Sequence, residues 1–176
     1  SRNPVLRRQL VRALGAAARV FSVSGSLRQL ALDLGVDASK TEVVGNGVDT
    51  QGFHPVDRAA ARARLDLPDR AQVLISVGGL VERKGMHRVI DCLPPLMARH
   101  PDLHYLIVGG GGGEGDLRAE LEAQVARLGL AGRVHFLGTL SPDALKWPLS
   151  AADVFVLATR NEGWANVFLE PMACGL

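Results

Sequence analysis

Residues 72–80 read QVLISVGGL, residues 84–100 KGMHRVIDCLPPLMARH and residues 103–110 LHYLIVGG. This strand, helix, strand order decides the fold. The alternation continues through DLRAELEAQVARLG (116–129), RVHFLGTL (133–140), PDALKWPLSA (142–151), DVFVLAT (153–159) and NVFLEPMACG (166–175). Strands alternating with amphipathic helices predict a parallel sheet wound by right-handed crossovers. The strand cores VLISV, HYLIV and VFVLA are continuously apolar, as expected where helices cover both faces of a sheet. The expected fold class is therefore α/β, a doubly wound parallel sheet of Rossmann-like type, starting near Ala71 and ending after its fourth strand.

Working outward toward the start of the chain, Val5, Leu10, Val11 and Leu14 recur at helical spacing between Asn3 and Ala17, with Arg7, Arg8 and Arg12 on the other face. An arginine-rich face suits either simple solvation or contact with an anionic membrane, and solvation is the favoured reading. Then come ARVFSVS as a strand, SLRQLALDLG as a helix closed by Gly35, and TEVVGNGVD as a strand entering a glycine-rich turn. The stretch DTQGFHPVDR lacks periodicity, carries Pro55 and suits a connection. The expected partition is residues 1–45 as the end of one domain, 46–70 as connection and entry segment, and 71–176 as a second domain, incomplete at its C-terminus.

The 176 residues, 47% of them hydrophobic, suffice for one substantial core. No apolar run approaches the roughly 18 residues that span a bilayer, and SRNPVLRRQL lacks the apolar centre of a secretory signal. A cytoplasmic location is expected, with peripheral contact at the inner face of the membrane as a variant. Cys92 and Cys174 lie in apolar surroundings without CxxC spacing, so both are expected to be buried free thiols. The formal charge of +2 forms no broad basic patch, and nucleic acid is not implied. The chain opens without methionine and stops at MACGL inside an expected helix, which predicts a fragment of a longer protein.

In doubly wound sheets ligands bind beyond the carboxyl ends of the strands. GLVERKG (79–85), GGGGGEG (109–115), GTL (138–140) and RNEGW (160–164) all occupy that position. Gly110, Gly112 and Gly115 match a GxGxxG pattern, but a dinucleotide site also needs an acid after the next strand, and none occurs between Glu122 and Asp143. A flexible loop is the favoured reading of the glycines. Lys84, beside the start of a helix, would combine an ammonium with free backbone amides, which suits a diphosphate. Arg83 adds a guanidinium fork, although both cations are equally readable as solvated loop charges. Glu162 in a loop and Glu170 in the first turn of the next helix should face the same crevice, where carboxylates can accept hydrogen bonds from vicinal hydroxyls. Asn166 or Glu170 is the expected cap of that helix; a helix-dipole role alone would also explain Glu170. Trp164 can stack on a sugar or pack beneath the loop, and Trp147 is expected in the core. The histidines read as structural or surface groups. No pair of acids suits a divalent cation, so no metal is expected.

Taken in order, NGVD, RKG, LIVGGG, FLG and NEGWANVFLEPMACG resemble the retaining glycosyltransferases of family 4, in the two-Rossmann-domain class called GT-B. The resemblance runs from about Phe21 to Leu176. It implies the C-terminal, donor-binding half of such an enzyme, with the preceding residues belonging to the acceptor-side domain. It implies no cofactor, with a nucleotide-diphosphate sugar as donor substrate and a glycan, lipid or small molecule as acceptor. By the same resemblance Glu170 binds the ribose hydroxyls and Glu162 holds hydroxyls of the transferred sugar. Gly163 belongs to the same loop, and backbone amides around Asn166 and Val167 meet the sugar and its phosphate. Lys84, with Arg83 beside it, binds the diphosphate, and Thr139 and Leu140 border the base. Lys84 and Glu162 are the expected catalytic residues.

Two positions depart from the family pattern. The family commonly places an arginine where this chain has Gly79, which removes a second cation from the departing diphosphate. Gly45 stands where proline usually precedes NGVD. A nucleotide-sugar epimerase or hydrolase on the same scaffold, or a binding module without catalysis, remain alternatives at the level of sequence.

Overall fold

The computed structural model describes residues 3–160 and 166–176. By its internal contacts the described chain forms two units, one of residues 3–47 with Asn166 and one of residues 48–160 with 167–176.

In the first unit, helix α1 (Pro4–Ala16) starts where the Asn3 side chain accepts from the amides of Val5 and Leu6. Pro4 takes the first helical position, where no donor is needed. Strand β1 (Val20–Ser22), helix α2 (Gly25–Asp33) and strand β2 (Thr41–Val43) form a short parallel strand, helix, strand unit, with Val20 opposite Thr41. Ser24 caps α2 by accepting from Leu27 N, and Gly35 turns the chain out of it at φ +90.

The second unit opens with helix α3 (Arg58–Arg64) and continues through β3 (Gln72–Val77), α4 (Met86–Arg99), β4 (Leu103–Val108), α5 (Arg118–Arg127), β5 (Val134–Gly138), α6 (Pro142–Ala151), β6 (Val154–Phe155) and α7 (Leu169–Ala173). Its four strands are parallel and run in the order β5-β4-β3-β6. Successive connections therefore go one way from β3 to β5 and then return to the other side of β3. The carboxyl ends of β3 and β6 flank the point of reversal, where such sheets bind ligands.

Alternation along the strands feeds two cores. Val73, Ile75 and Val77 of β3 pack with Leu106 and Val108 of β4 against Ala61 of α3 and Leu145 and Leu149 of α6. On the opposite face Tyr105 and Ile107 meet Met86, Val89, Ile90 and Leu93 of α4 and Leu121 and Val125 of α5. All six residues of β4 are buried, which explains their unbroken apolar run. A fully buried side chain of this size contributes about 1.5–3 kcal/mol. The one phenol in this core is satisfied: Tyr105 donates to Ser76 Oγ at 2.7 Å, and Ser76 donates to the Val156 carbonyl at 2.6 Å.

The doubly wound parallel α/β reading holds, with local corrections. Helix α3 is an element that the apolar pattern does not announce; Asp57 starts it by accepting from Ala60 N. DVFVLAT is strand only at Val154 and Phe155, in register with Leu74 and Ile75 of β3, and is flanked by Asp153 N to Val73 O and Val156 N to Ile75 O, both at 2.8 Å. NVFLEPMACG is not one helix but a 3-10 turn, Asn166–Phe168, followed by α7. A helix begun at Asn166 would need a donor from residue 171 to the Val167 carbonyl, and Pro171 has none. Neither Asn166 nor Glu170 caps α7; Phe168 stands at that position without a side-chain bond. Cys174 is buried as expected, but Cys92 is exposed on the outer side of α4.

Candidate functional site

Three strand ends meet at the carboxyl edge of the sheet, and glycine makes their approach possible. A Cβ on Gly109 would lie 1.8 Å from the Gly78 carbonyl oxygen, and Gly109 holds φ +144, so only glycine fits where β4 passes β3. Gly78 N donates to Val108 O at 2.9 Å, Leu80 N to Gly110 O at 2.8 Å and Gly109 N to Gly138 O at 2.8 Å. Thr139, just past β5, joins this edge: its Oγ1 lies 2.8 Å from where a Gly110 Cβ would be.

Lys84 ends a 3-10 turn, Glu82–Lys84, directly before Gly85, whose φ of +75 lets the chain enter α4. A Cβ at Gly85 would sit 2.1 Å from the Ala158 carbonyl oxygen, so the start of α4 lies against the segment after β6. That contact is reinforced by Arg160 N to Arg83 O at 3.0 Å and Thr159 Oγ1 to Arg83 O at 3.1 Å. The half-buried Lys84 lays its aliphatic stem across Gly78, with Cδ and Cε 3.6 Å from the missing Cβ. An ammonium and the first amides of a fourteen-residue helix thus share one edge with a glycine-lined floor. Positive charge and open backbone donors are the features an anionic ligand would require.

Beside it opens a cleft of about 370 Å³ lined by Val81, Glu82, Arg83, Glu114 and Arg160. Arg83 is not simply solvated. Its Nε donates to Glu114 Oε2 at 3.1 Å and its Nη2 to Glu114 Oε1 at 2.8 Å, a two-pronged pair. The hydrogen bonds from Arg83, then its charge, hold the Glu114 carboxyl below the usual range, and the Lys84 charge adds to this. The glycine run closes into a turn in which Gly112 and Gly115 exchange backbone hydrogen bonds of 2.8 and 2.9 Å.

Glu170 lies in the first turn of α7, half-buried, and burial raises its pKa. Among the described residues its carboxylate takes no hydrogen bond or ion pair. Val167 packs against the core of α3 and α6, while Asn166 is exposed. Leu140 does not line the Arg83 cleft; it borders a smaller pocket with Arg64, Leu65, Leu137, Ala144, Trp147 and Pro148. There Trp147 is only partly buried, with the Arg64 guanidinium 4.9 Å from its ring centre. Glu162, Gly163 and Trp164 lie outside the described residues.

Sequence reading passed over Glu114 and Arg160 as site residues. The signal for each was position alone, since both follow strands and Glu114 interrupts a glycine run. It also missed a pairing: His104 Nδ1 lies 2.9 Å from His135 Nε2, with the rings stacked. Burial lowers both pKa values, and the neighbouring imidazole and Arg133 lower that of His104 further. His104 belongs to the amino-terminal half of β4, away from the cleft, and reads as structural. Among the described residues no three His, Cys, Asp or Glu side chains gather as a metal site.

A parallel sheet with two cations and the start of a long helix at its reversal point defines a doubly wound α/β protein whose ligand edge carries positive charge. The chain belongs to the group 1 glycosyl transferases, whose family model matches residues 57–176. It is 36% identical over 150 residues to the D-inositol 3-phosphate glycosyltransferase of Rhodococcus jostii (strain RHA1), covering 84% of this chain and 33% of that protein. It is 35% identical over 145 residues to the GDP-mannose-dependent monoacylated alpha-(1-6)-phosphatidylinositol monomannoside mannosyltransferase of Corynebacterium glutamicum, covering 77% of this chain and 36% of that one. Among solved structures, Anabaena HepE in complex with UDP and glucose superposes with a TM-score of 0.81 at 28% identity, over 97% of this chain and 46% of its own. Sucrose-phosphate synthase from Thermosynechococcus elongatus gives a TM-score of 0.83 at 29% identity, over 98% and 43%. These structural neighbours have the GT-B fold, of which this chain spans under half. It spans about a third of the length of the curated relatives. Among the described residues no helix is long and apolar enough to cross a membrane.

Proposed function

We infer that this chain carries the donor-binding part of a family 4 glycosyltransferase that moves a sugar from a nucleotide-diphosphate sugar to an acceptor hydroxyl with retention of configuration. The observation that carries the reading is the meeting of Lys84, the start of α4 and the Gly78–Gly109 crossing at the reversal point of the sheet. A diphosphate fits there because its charge meets an ammonium and free amides, while the glycine floor permits close approach. The UDP and glucose held by HepE and the GDP-mannose dependence of the Corynebacterium relative support a nucleotide sugar as donor.

In this reading the bond between the sugar C1 and the phosphate oxygen breaks, with positive charge developing on the sugar ring. Lys84 and the α4 amides take up the charge left on the diphosphate, and Arg83 assists. The acceptor hydroxyl attacks C1 from the face the diphosphate leaves and passes its proton to the departing diphosphate oxygen as the new bond forms. Glu170 receives the ribose hydroxyls. Glu162 holds the hydroxyls of the transferred sugar, with Gly163 beside it and the amides of Asn166 and Val167 near the sugar and its phosphate. Thr139 and Leu140 border the base. Residues 71–176 form the nucleotide-sugar-binding region, 46–70 the connection, and 1–45 belong to the acceptor side. No cofactor takes part; the nucleotide sugar is the substrate, the acceptor is a glycan, lipid or small molecule, and the reaction belongs to the cytoplasm or the inner face of its membrane.

The test is to supply the full chain with UDP-, GDP- and ADP-sugars and a set of hydroxyl acceptors, and to read the product's anomeric configuration by NMR. Transfer with the donor's configuration is expected. Release of free sugar alone would make this a hydrolase, and an inverted product would remove the retaining mechanism.

A further inference from the structure

The turn at the end of the glycine run has a single charged side chain at its tip, Glu114. Its base is fixed to the sheet edge through Gly109 N to Gly138 O and Leu80 N to Gly110 O. Its tip is built differently. Gly112, Gly113 and Gly115 have nothing within 4 Å of where a Cβ would be, and Gly115 holds φ +120. Among the described residues, the contact that ties this tip to the rest of the protein is the two-pronged pair of Glu114 with Arg83. Both side chains are well exposed, at 37% for Arg83 and 58% for Glu114, so water and ions compete for the pair.

A carboxylate and a phosphate present the same two oxygens to a guanidinium fork. Glu114 therefore holds, from within the chain, the position on Arg83 that a diphosphate in the cleft would use. Glycines on both sides of it let the tip swing without dragging packed side chains.

Resting on the nucleotide-sugar reading of this edge, we propose that Glu114 is a tethered anion that occupies the phosphate fork of Arg83 and must be displaced by the donor diphosphate, moving the glycine-rich tip as it leaves. Donor affinity is then set by competition between a ligand and a residue of the same chain. The tip reports occupancy, because its tie to the cleft is broken when the diphosphate binds.

Calorimetric titration of the full chain with UDP, GDP, ADP and inorganic pyrophosphate tests this in wild type, Glu114→Gln, Arg83→Gln and the double variant. Glu114→Gln should bind the diphosphates roughly two- to fivefold tighter, the scale of an exposed ion pair, and the gain should shrink at high salt. The gain should vanish in the Arg83→Gln background, because Glu114 acts through Arg83. Unchanged or weaker binding by Glu114→Gln overturns the proposal, as does a gain that survives without Arg83. The pyrophosphate arm separates this idea from the reading beneath it. Tighter pyrophosphate binding by Glu114→Gln in a chain indifferent to every nucleotide would keep the displaced anion and sink the nucleotide-sugar donor.

Discussion

Guanidinium and carboxylate meet at both ends of the same sheet, with opposite consequences. At the amino end Arg62 has a side chain only 8% exposed and donates from Nη2 to Asp153 Oδ2 at 3.0 Å and from Nε to the Ala151 carbonyl at 3.2 Å. Its Nη1 also donates to the Asp69 carbonyl, Arg58 pairs with the other oxygen of Asp153, and Val73 N donates to Oδ2 at 2.8 Å. Both prongs of the carboxylate are used, and the cluster ties α3, β3 and the start of β6 together. At the carboxyl end Arg83 and Glu114 face a cleft and are linked through a glycine turn. The chemistry of the pair is the same; burial and the remaining partners decide whether it is a buried rivet or an exposed pair open to water and ions.

Lys84→Ala should have the largest effect at the carboxyl edge. It removes an ammonium from the carboxyl edge, where charge is taken up in the proposed reaction, and should lower kcat/KM about 10²–10³-fold. The melting temperature should move little, since the burial lost is part of one stem. A variant whose Tm collapses along with its activity would make Lys84 part of the scaffold rather than of the diphosphate site.

Arg62→Met should do the reverse. Removing the buried guanidinium takes one of its partners from Asp153 and the side-chain donor from the Ala151 and Asp69 carbonyls, at a cost of about 3 kcal/mol, or roughly 6–12 °C in Tm for a chain of this size. Donor affinity of the folded protein, measured well below the transition, should stay at the wild-type value. Loss of affinity without loss of Tm would show that the two edges are coupled.

These two clusters also mark what the sequence makes legible. The strands and major helices could be read because each buries an unbroken or periodic apolar set, which also locates Lys84 in the turn between β3 and α4 and Glu170 in the first turn of a helix. Arg62 could not be read. Its helix, RAAARAR, has no apolar period and is held by a carboxylate 91 residues further along the chain. The tie between Arg83 and Glu114 was hidden for a similar reason, since it depends on how two loops after different strands face each other. Pattern reading reports local periodicity; it does not report which distant charge will neutralise a given arginine.

Glu170 offers a smaller and pH-dependent test. Burial raises its carboxyl pKa, and ribose hydroxyls would donate to the ionised form, so nucleotide affinity should fall as pH drops through that raised value. Glu170→Gln should weaken UDP or GDP binding about tenfold at neutral pH and flatten this dependence. Folding carries the opposite sign. A carboxyl whose folded pKa lies above its unfolded value takes up a proton on folding in the window between the two, so its effect on stability is unfavourable above that window and relieved as pH falls. Glu170→Gln should therefore raise Tm slightly at neutral pH while it weakens binding. A variant that loses stability and keeps its affinity would reduce Glu170 to a helix-end residue.

The smallest effect is expected from adding charge where this chain has none. A Cβ at Gly79 would meet only the Gly110 carbonyl oxygen and Val81 Cγ2, both at 3.9 Å, and Gly79 does not hold a left-handed φ. An L-residue is therefore tolerated there without strain, unlike at Gly78 or Gly109, where the positive φ resists one. Gly79→Arg places a guanidinium stem on the carboxyl edge, one residue past Gly78 and the Lys84 stem that crosses it. Diphosphate affinity should rise by about two- to fivefold at low salt, with the gain fading as ionic strength increases. No change in affinity, with Tm preserved, would mean that the Lys84 edge already supplies the positive charge a diphosphate can use. A fall in Tm would mean instead that the backbone approach to Gly110, rather than charge, is what keeps this position small.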